Sequence, residues 1–116
     1  MKVERREIWE VNVLLPDNKF KPHPCIVLSG SNVHELEEAA IVIMLTSSNV
    51  SDEFSFNITN EMITFKPRKA RMQARLQLIA LTPLNQFVPG SKMGYLKQLY
   101  FDDLISKINS IIFRSV

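Results

Sequence analysis

One cysteine, two histidines and three glycines in 116 residues each exclude a class of protein. A lone Cys25 cannot build an internal disulfide framework. Its place in the apolar run Cys25-Ile26-Val27-Leu28 makes it a small buried hydrophobe rather than a nucleophile. His23 and His34, with Cys25, are too few for the clustered ligands of a structural zinc site, so no metal and no other cofactor is expected. The low glycine content and the lack of repeats or low-complexity tracts argue against linkers and solenoids. No apolar run approaches the ~20 residues of a membrane helix. The opening Met1-Lys2-Val3-Glu4-Arg5-Arg6 is not followed by the apolar stretch of a signal peptide. The expectation is a cytoplasmic protein without a membrane partner.

What is present is a hydrophobic content of 46%, enough for one domain with a real core, and the reading is a single domain over 1–116. The net charge of +2 permits nucleic-acid binding without requiring it. The distribution says more: Lys66, Arg68, Lys69, Arg71 and Arg75 fall within ten residues with no acid among them, a cluster suited to a polyanion.

Local patterns predict the elements. Glu7 to Val13 alternates, with Ile8, Glu10 and Asn12 on one face and Trp9, Val11 and Val13 on the other, as in a strand. Pro22 to Ser29 is a second strand, continuously apolar from Cys25 to Leu28 and entered through prolines on either side of His23. Asn32 with Glu35 has capping-box spacing, predicting a short helix through about Ala40 with Glu35, Glu37 and Glu38 near its start and His34 on its exposed side. Ile41 to Leu45 and Phe54 to Ile58 read as strands. From Lys69 to Ala80, one parity is apolar (Ala70, Met72, Ala74, Leu76, Leu78, Ala80). The other carries Lys69, Arg71, Gln73, Arg75 and Gln77, so a long strand is predicted in which the period outweighs helix propensity. Gln86 to Val88 reads as a short strand and Pro89-Gly90-Ser91 as a turn. A helix capped by Asp102 follows, with Leu104, Ile105, Ile108, Ile111 and Ile112 as its apolar stripe.

The order of these segments resembles the PemK/MazF family of toxin endoribonucleases over Glu7 to Phe113. That family opens with a Gly-Asp/Glu-Ile-Trp-x-Val strand, matched here by Arg6-Glu7-Ile8-Trp9-Glu10-Val11. Its Arg-Pro-Val-Leu-Val-Val-Ser strand is matched by His23-Pro24-Cys25-Ile26-Val27-Leu28-Ser29. The family's strand ending in Thr-Ser falls at Thr46-Ser47, and Gly94-Tyr95-Leu96 is similar to the Gly-x-Leu before its last helix. The resemblance implies a mainly β, α+β fold: an SH3-like, strongly bent antiparallel sheet or small barrel with a short helix and a C-terminal helix.

It further implies a toxin of a type II toxin-antitoxin system that cleaves single-stranded RNA sequence-selectively and without metal. The partners it implies are an acidic antitoxin and a second copy in a homodimer. The family's catalytic arginine is replaced by His23, whose imidazole can donate or accept a proton near neutrality but holds no permanent charge. Candidate catalytic residues are therefore His23 and Thr46, and candidate RNA-binding residues are Ser47, Lys69, Arg71, Gln73 and Arg75. An arginine-aspartate pair found in some relatives falls at Gln73 and Arg75, which leaves that face without a carboxylate. Arg6 in place of the family's glycine suggests a turn without positive φ. Aromatics to stack on bases would have to come from Phe65, Phe20 or Tyr95, whose position the sequence does not determine, and Trp9 belongs to the core. The alternative is a non-catalytic member of the same fold that binds a protein, as the structurally similar CcdB toxin does with gyrase, or a mobile-element accessory domain with a binding role alone.

Overall fold

Two hydrophobic cores meet on one strand, because β1 (Glu7–Leu14) begins with apolar residues of both parities. In the computed structural model, which describes residues 1–15, 17–67, 69 and 71–114, Ile8 and Val11 are completely buried on opposite sides of that strand. β1 pairs antiparallel with β2 (Phe20–Val27), which pairs with β3 (Ala39–Thr46) and β3 with β5 (Gln73–Pro83). The short β4 (Ser55–Asn57) and β6 (Gly94–Tyr95) form the edges, giving the order β4-β5-β3-β2-β1-β6. The sheet is bent but open, so it is not a closed barrel. Its edges are tied through an isolated bridge between Ile63 and Leu96 and the Lys97 N–H to Met62 O bond of 2.8 Å.

The concave face holds the larger core: Ile8, Ile26, Ile43, Leu45, Ala74 and Leu76, closed by Phe101, Leu104 and Ile108 of α2 (Gln98–Ile108). The other face carries Trp9, Val11, Cys25, Val27 and Val42 under Val3 and Phe87, with the Trp9 and Phe87 rings edge to face at 5.8 Å. Trp9 is thus core, as expected.

Several local expectations are corrected. The short helix α1 runs Ser31–Glu37, and Gly30 occupies its N-cap with no side-chain cap bond, so the Asn32 and Glu35 spacing is not a capping box. Its first turn contains no acid. Glu38 is left-handed at φ 50° and Ala39 already belongs to β3, which ends the helix earlier than its composition would. His34 is buried, not exposed. Its Nδ1 lies 3.1 Å from Val3 O and its Nε2 2.8 Å from Ser29 Oγ, while Ser29 Oγ accepts from Ile41 N–H at 2.8 Å. The Val3 carbonyl can only accept, so Nδ1 carries the proton there, and the neutral ring's Nε2 accepts from the Ser29 hydroxyl. One serine thereby links strand, helix and N-terminal segment.

Arg6 has φ 78°, a positive value where none was expected. Its guanidinium compensates by donating to Leu96 O at 3.2 Å and lying 5.0 Å from the Tyr95 ring centroid. Asp102 sits inside α2, where it accepts from Gln98 Nε2, and Lys97 is the cap; Ile105 is largely exposed, and the buried stripe takes in Phe101 instead. Phe87 forms a single bridge to Val11 rather than a strand.

The largest departure lies in β5. It begins at Gln73, after Lys69 and Arg71, and carries a bulge: Ile43 pairs with Ile79 but Leu45 with Ala74, so a two-residue advance on β3 meets a five-residue advance on β5. The odd excess reverses the alternation. Ala74 and Leu76 face the concave core, whereas Leu78 and Ala80, predicted to continue that face, are exposed and Ile79 turns to the core in their place. The expectations for Arg68 and Ala70 lie outside the described residues.

Candidate functional site

The β1–β2 hairpin places Glu10 opposite Pro24 and His23 opposite Val11. Where this hairpin meets the end of β3 and the segment leading into β5, a cavity of about 380 Å³ opens. Its walls include His23, Thr46, Ser47, Lys69 and Arg71, five of the seven residues proposed from sequence. Lys69, Arg71 and Ser47 are exposed, and His23 and Thr46 half-buried. The strand alternation puts His23 on the parity of Cys25 and Val11, so it borders the groove from the rim, while Pro22 and Pro24 form the wall beside it. Thr46 Oγ1 accepts from Ser48 N–H at 3.2 Å, leaving its own proton free to be donated.

The groove also contains groups that pattern reading passed over. Glu10 brings a carboxylate from β1. The signal was present: Glu10 shares its parity with the core residue Ile8, and a charged side chain on the buried parity of a strand needs a reason. The strand is fixed at Glu10 by the Val88–Ser91 turn, since Glu10 N–H donates to Ser91 Oγ at 3.1 Å and Glu10 O accepts from Val88 N–H at 2.9 Å. Phe65, Met72 and Met93 supply apolar surface. Gly94 holds Phe65 there: at φ 155°, a Cβ on this residue would come within 2.7 Å of Phe65 Cδ1 and 2.5 Å of Thr64 Oγ1. Phe20 is exposed elsewhere on the hairpin and Tyr95 lies under Arg6.

Gln73 and Arg75 are placed differently. Gln73 is buried, and its Nε2 donates to Ser48 O at 2.6 Å and Val50 O at 2.9 Å. Arg75 forms a bidentate pair with Asp52, Nη1 to Oδ1 at 2.9 Å and Nη2 to Oδ2 at 3.0 Å. The carboxylate missing from the strand itself is therefore supplied by the β3–β4 loop. This hydrogen-bonded guanidinium holds the Asp52 carboxyl below its ordinary value of 3.8. On the opposite face, burial, reinforced by the Glu10 charge, pushes the Cys25 thiol up to about 12, a protonated and unreactive state.

An open bent antiparallel sheet with one C-terminal helix across one face is the fold shared with solved MazF toxins. MazF from Deinococcus radiodurans superposes with a TM-score of 0.76 at 9% identity, covering 98% of this chain and 99% of that one. A mycobacterial endoribonuclease in complex with its cognate antitoxin gives 0.73 at 8% identity, covering 99% of each. The toxin MazF-mt6 of Mycobacterium tuberculosis gives 0.69 at 15% identity, covering 90% of this chain and 94% of that one. No curated protein matches in sequence. The sequence pattern of the PemK-like, MazF-like toxins of type II toxin-antitoxin systems matches residues 4–112, and the chain belongs to that family. None of its described helices is long and apolar enough to cross a membrane.

Proposed function

We propose that the chain is a sequence-selective endoribonuclease, the toxin of a type II toxin-antitoxin pair acting in the cytoplasm, and that it cleaves single-stranded RNA in the groove bordered by Glu10, His23, Thr46 and Arg71. The observation that carries this reading is the convergence in one cavity of two proton-transfer groups, two hydroxyls and two cations from separate parts of the chain. In metal-independent cleavage, the ribose 2′-oxygen bonds to the neighbouring phosphorus and the bond to the 5′-oxygen breaks, leaving a cyclic phosphate and a 5′-hydroxyl. The 2′-proton must be taken and the departing oxygen protonated, roles for His23 and Glu10. Lys69 and Arg71 hold the phosphate, Arg71 through its planar fork of donors, and Thr46 and Ser47 donate to the charge that builds on its oxygens. Gln73 and Arg75 act on RNA through the loop they fix.

The solved relatives include MazE-MazF complexes and an endoribonuclease with its antitoxin, which supports an antitoxin partner here. An acidic segment of that partner meets Lys69 and Arg71 and competes with RNA. A second copy of the chain covers the apolar groove of about 390 Å³ on the opposite face, where Leu14, Phe20, Leu78 and Leu81 stand exposed.

The test is incubation of purified protein with a long RNA in EDTA, followed by mapping of the ends. Cuts at short defined motifs, slowed ~100-fold by His23→Ala and by Glu10→Gln, are expected. Intact RNA would favour the non-catalytic binding reading, and full activity of His23→Ala would remove the imidazole from the mechanism.

A further inference from the structure

Beside the groove lies a second, larger cavity of about 660 Å³, which shares Arg71 and Met72 with it. We propose that this cavity is a nucleobase-reading pocket that determines which RNA sequence is cut, and that it takes a base carrying an exocyclic amino group, adenine, cytosine or guanine, in preference to uracil. The inference rests on the endoribonuclease reading above and names the substrate feature that the site selects.

The lining is unlike that of the groove. Carboxamides of Asn49, Asn57 and Asn60 and the carboxylate of Glu61 surround it, and all four residues are exposed. Arg71, the sole cation among the described residues lining it, stands where the two cavities join. A phosphate would find one cation and one carboxylate here, whereas the neighbouring groove offers Lys69 and Arg71 together. The chemistry therefore divides, with phosphate in the groove and base edge in the amide cavity. A carboxamide presents one donor and one acceptor side by side, the complement of an amino group next to a ring nitrogen. Glu61 can only accept. It favours an amino group and disfavours uracil, which carries carbonyl oxygens and no amino group. Ile58 and Met72 supply apolar surface for the face of the ring.

A reading pocket must be rigid, and one wall of this one is an exposed loop. That loop is fastened at several points. Gln73 holds the Ser48 and Val50 carbonyls, Arg75 holds Asp52, and Ser55 Oγ donates to Val50 O at 3.0 Å and accepts from Asp52 N–H at 3.2 Å. Arg75 Nη1 also reaches Gln73 Oε1 at 3.3 Å, so the fasteners form one network. At its other end the loop is tied to the reaction groove through the Ser48 N–H to Thr46 Oγ1 bond. The fixed loop places Asn49 and Ser51 at the rim of the cavity. Asn57, Asn60 and Glu61 are specificity-determining residues, and Gln73 and Arg75 are positioning residues.

The experiment compares the chain with Asn57→Ala/Asn60→Ala and Glu61→Gln variants, whose exposed positions leave the fold intact, as thermal melts would verify. Two readouts are used: end mapping on a long RNA, and fluorescence anisotropy with non-cleavable 2′-O-methyl oligonucleotides that carry each of the four bases at each position. The unmodified chain is expected to prefer amino-bearing bases over uracil at one position next to the cut. The double variant should lose about tenfold of that preference. Glu61→Gln should admit uracil there, narrowing the difference between uracil and the amino-bearing bases in both readouts. An identical base profile in all three proteins would overturn the pocket and leave the endoribonuclease reading standing. Failure of the unmodified chain either to cut or to bind RNA would overturn both. Variants that lose an acidic antitoxin peptide but keep the base profile would make the cavity a protein-docking site and refute the inference.

Discussion

Replacing Ser29 by alanine removes one oxygen and severs three segments from one another. Ser29 is buried, and its Oγ is the acceptor for the Ile41 N–H of β3 and the donor to Nε2 of His34, whose other nitrogen holds Val3 O. An unsatisfied buried polar group costs ~1–3 kcal/mol. The Ile41 bond is only partly buried, which places its loss in the lower half of that range, and the stranded Nε2 adds ~1 kcal/mol, for a total of about 2–3 kcal/mol. For a chain of this size, 1 kcal/mol corresponds to ~4 °C in melting temperature, so Ser29→Ala should melt about 8–12 °C lower. The assay is thermal unfolding followed by circular dichroism, with urea titration to verify that the cooperativity is retained. His34→Ala and the double variant complete a cycle, and a coupling of ~1 kcal/mol between the two positions is expected because they share one hydrogen bond. A drop below about 2 °C for Ser29→Ala, or strict additivity in the cycle, would show that the serine and histidine are not a structural hub.

Two more outcomes follow from groups whose titration the fold has moved. With its thiol raised to about 12 by burial and Glu10, Cys25 should not react with a disulfide reagent at pH 8 in the folded protein, yet give one equivalent in denaturant; fast native reaction would contradict the burial. Asp52 is lowered by Arg75, so its contribution to stability is present above the ordinary carboxyl value of 3.8 and is lost as the pH falls through the lower folded value. Urea midpoints measured from pH 7 to pH 2 should therefore decline on the acid side less steeply for Asp52→Asn than for the unmodified chain, and parallel curves would mean that the pair does not couple to folding.

The β1–β2 hairpin was legible in the sequence because both strands announce themselves locally, one by alternation and one by continuous apolar residues between prolines. The Lys69 to Ala80 segment was legible as a strand for the same reason, although only its part from Gln73 enters the ladder. The features that escaped are those set by contacts between distant residues. His34 is buried because Val3, thirty-one positions away, folds over it. The capping-box spacing at Asn32 is not used because the helix starts at Ser31 with Gly30 as its N-cap, and the helix stops early because β3 begins at Ala39. The strand pattern, with Gln73 and Arg75 in place of an arginine-aspartate pair, shows a face without a carboxylate, and Arg75 finds its partner in Asp52 on a loop. At the site, the cations and hydroxyls could be picked out by type and order, but Glu10 and the carboxamides of Asn57 and Asn60 acquire meaning only once the sheet bends and brings the ends of its strands together.

The bulge in β5 makes that strand two independently registered pieces. Upstream of it, Gln73 and Ala74 are locked to Thr46 and Leu45, and downstream Ile79 to Pro83 are locked to Ile43 to Ala39. Between the two ladders Arg75 and Leu76 are held to β4 and Phe54, and the extra residues fall at the exposed Gln77 and Leu78, so a codon gained or lost at Gln77 need not re-register either piece. Length variation can collect at that point while the proposed RNA groove keeps its geometry, and the apolar outer surface can drift toward new contacts without disturbing the end of the sheet where cleavage is proposed.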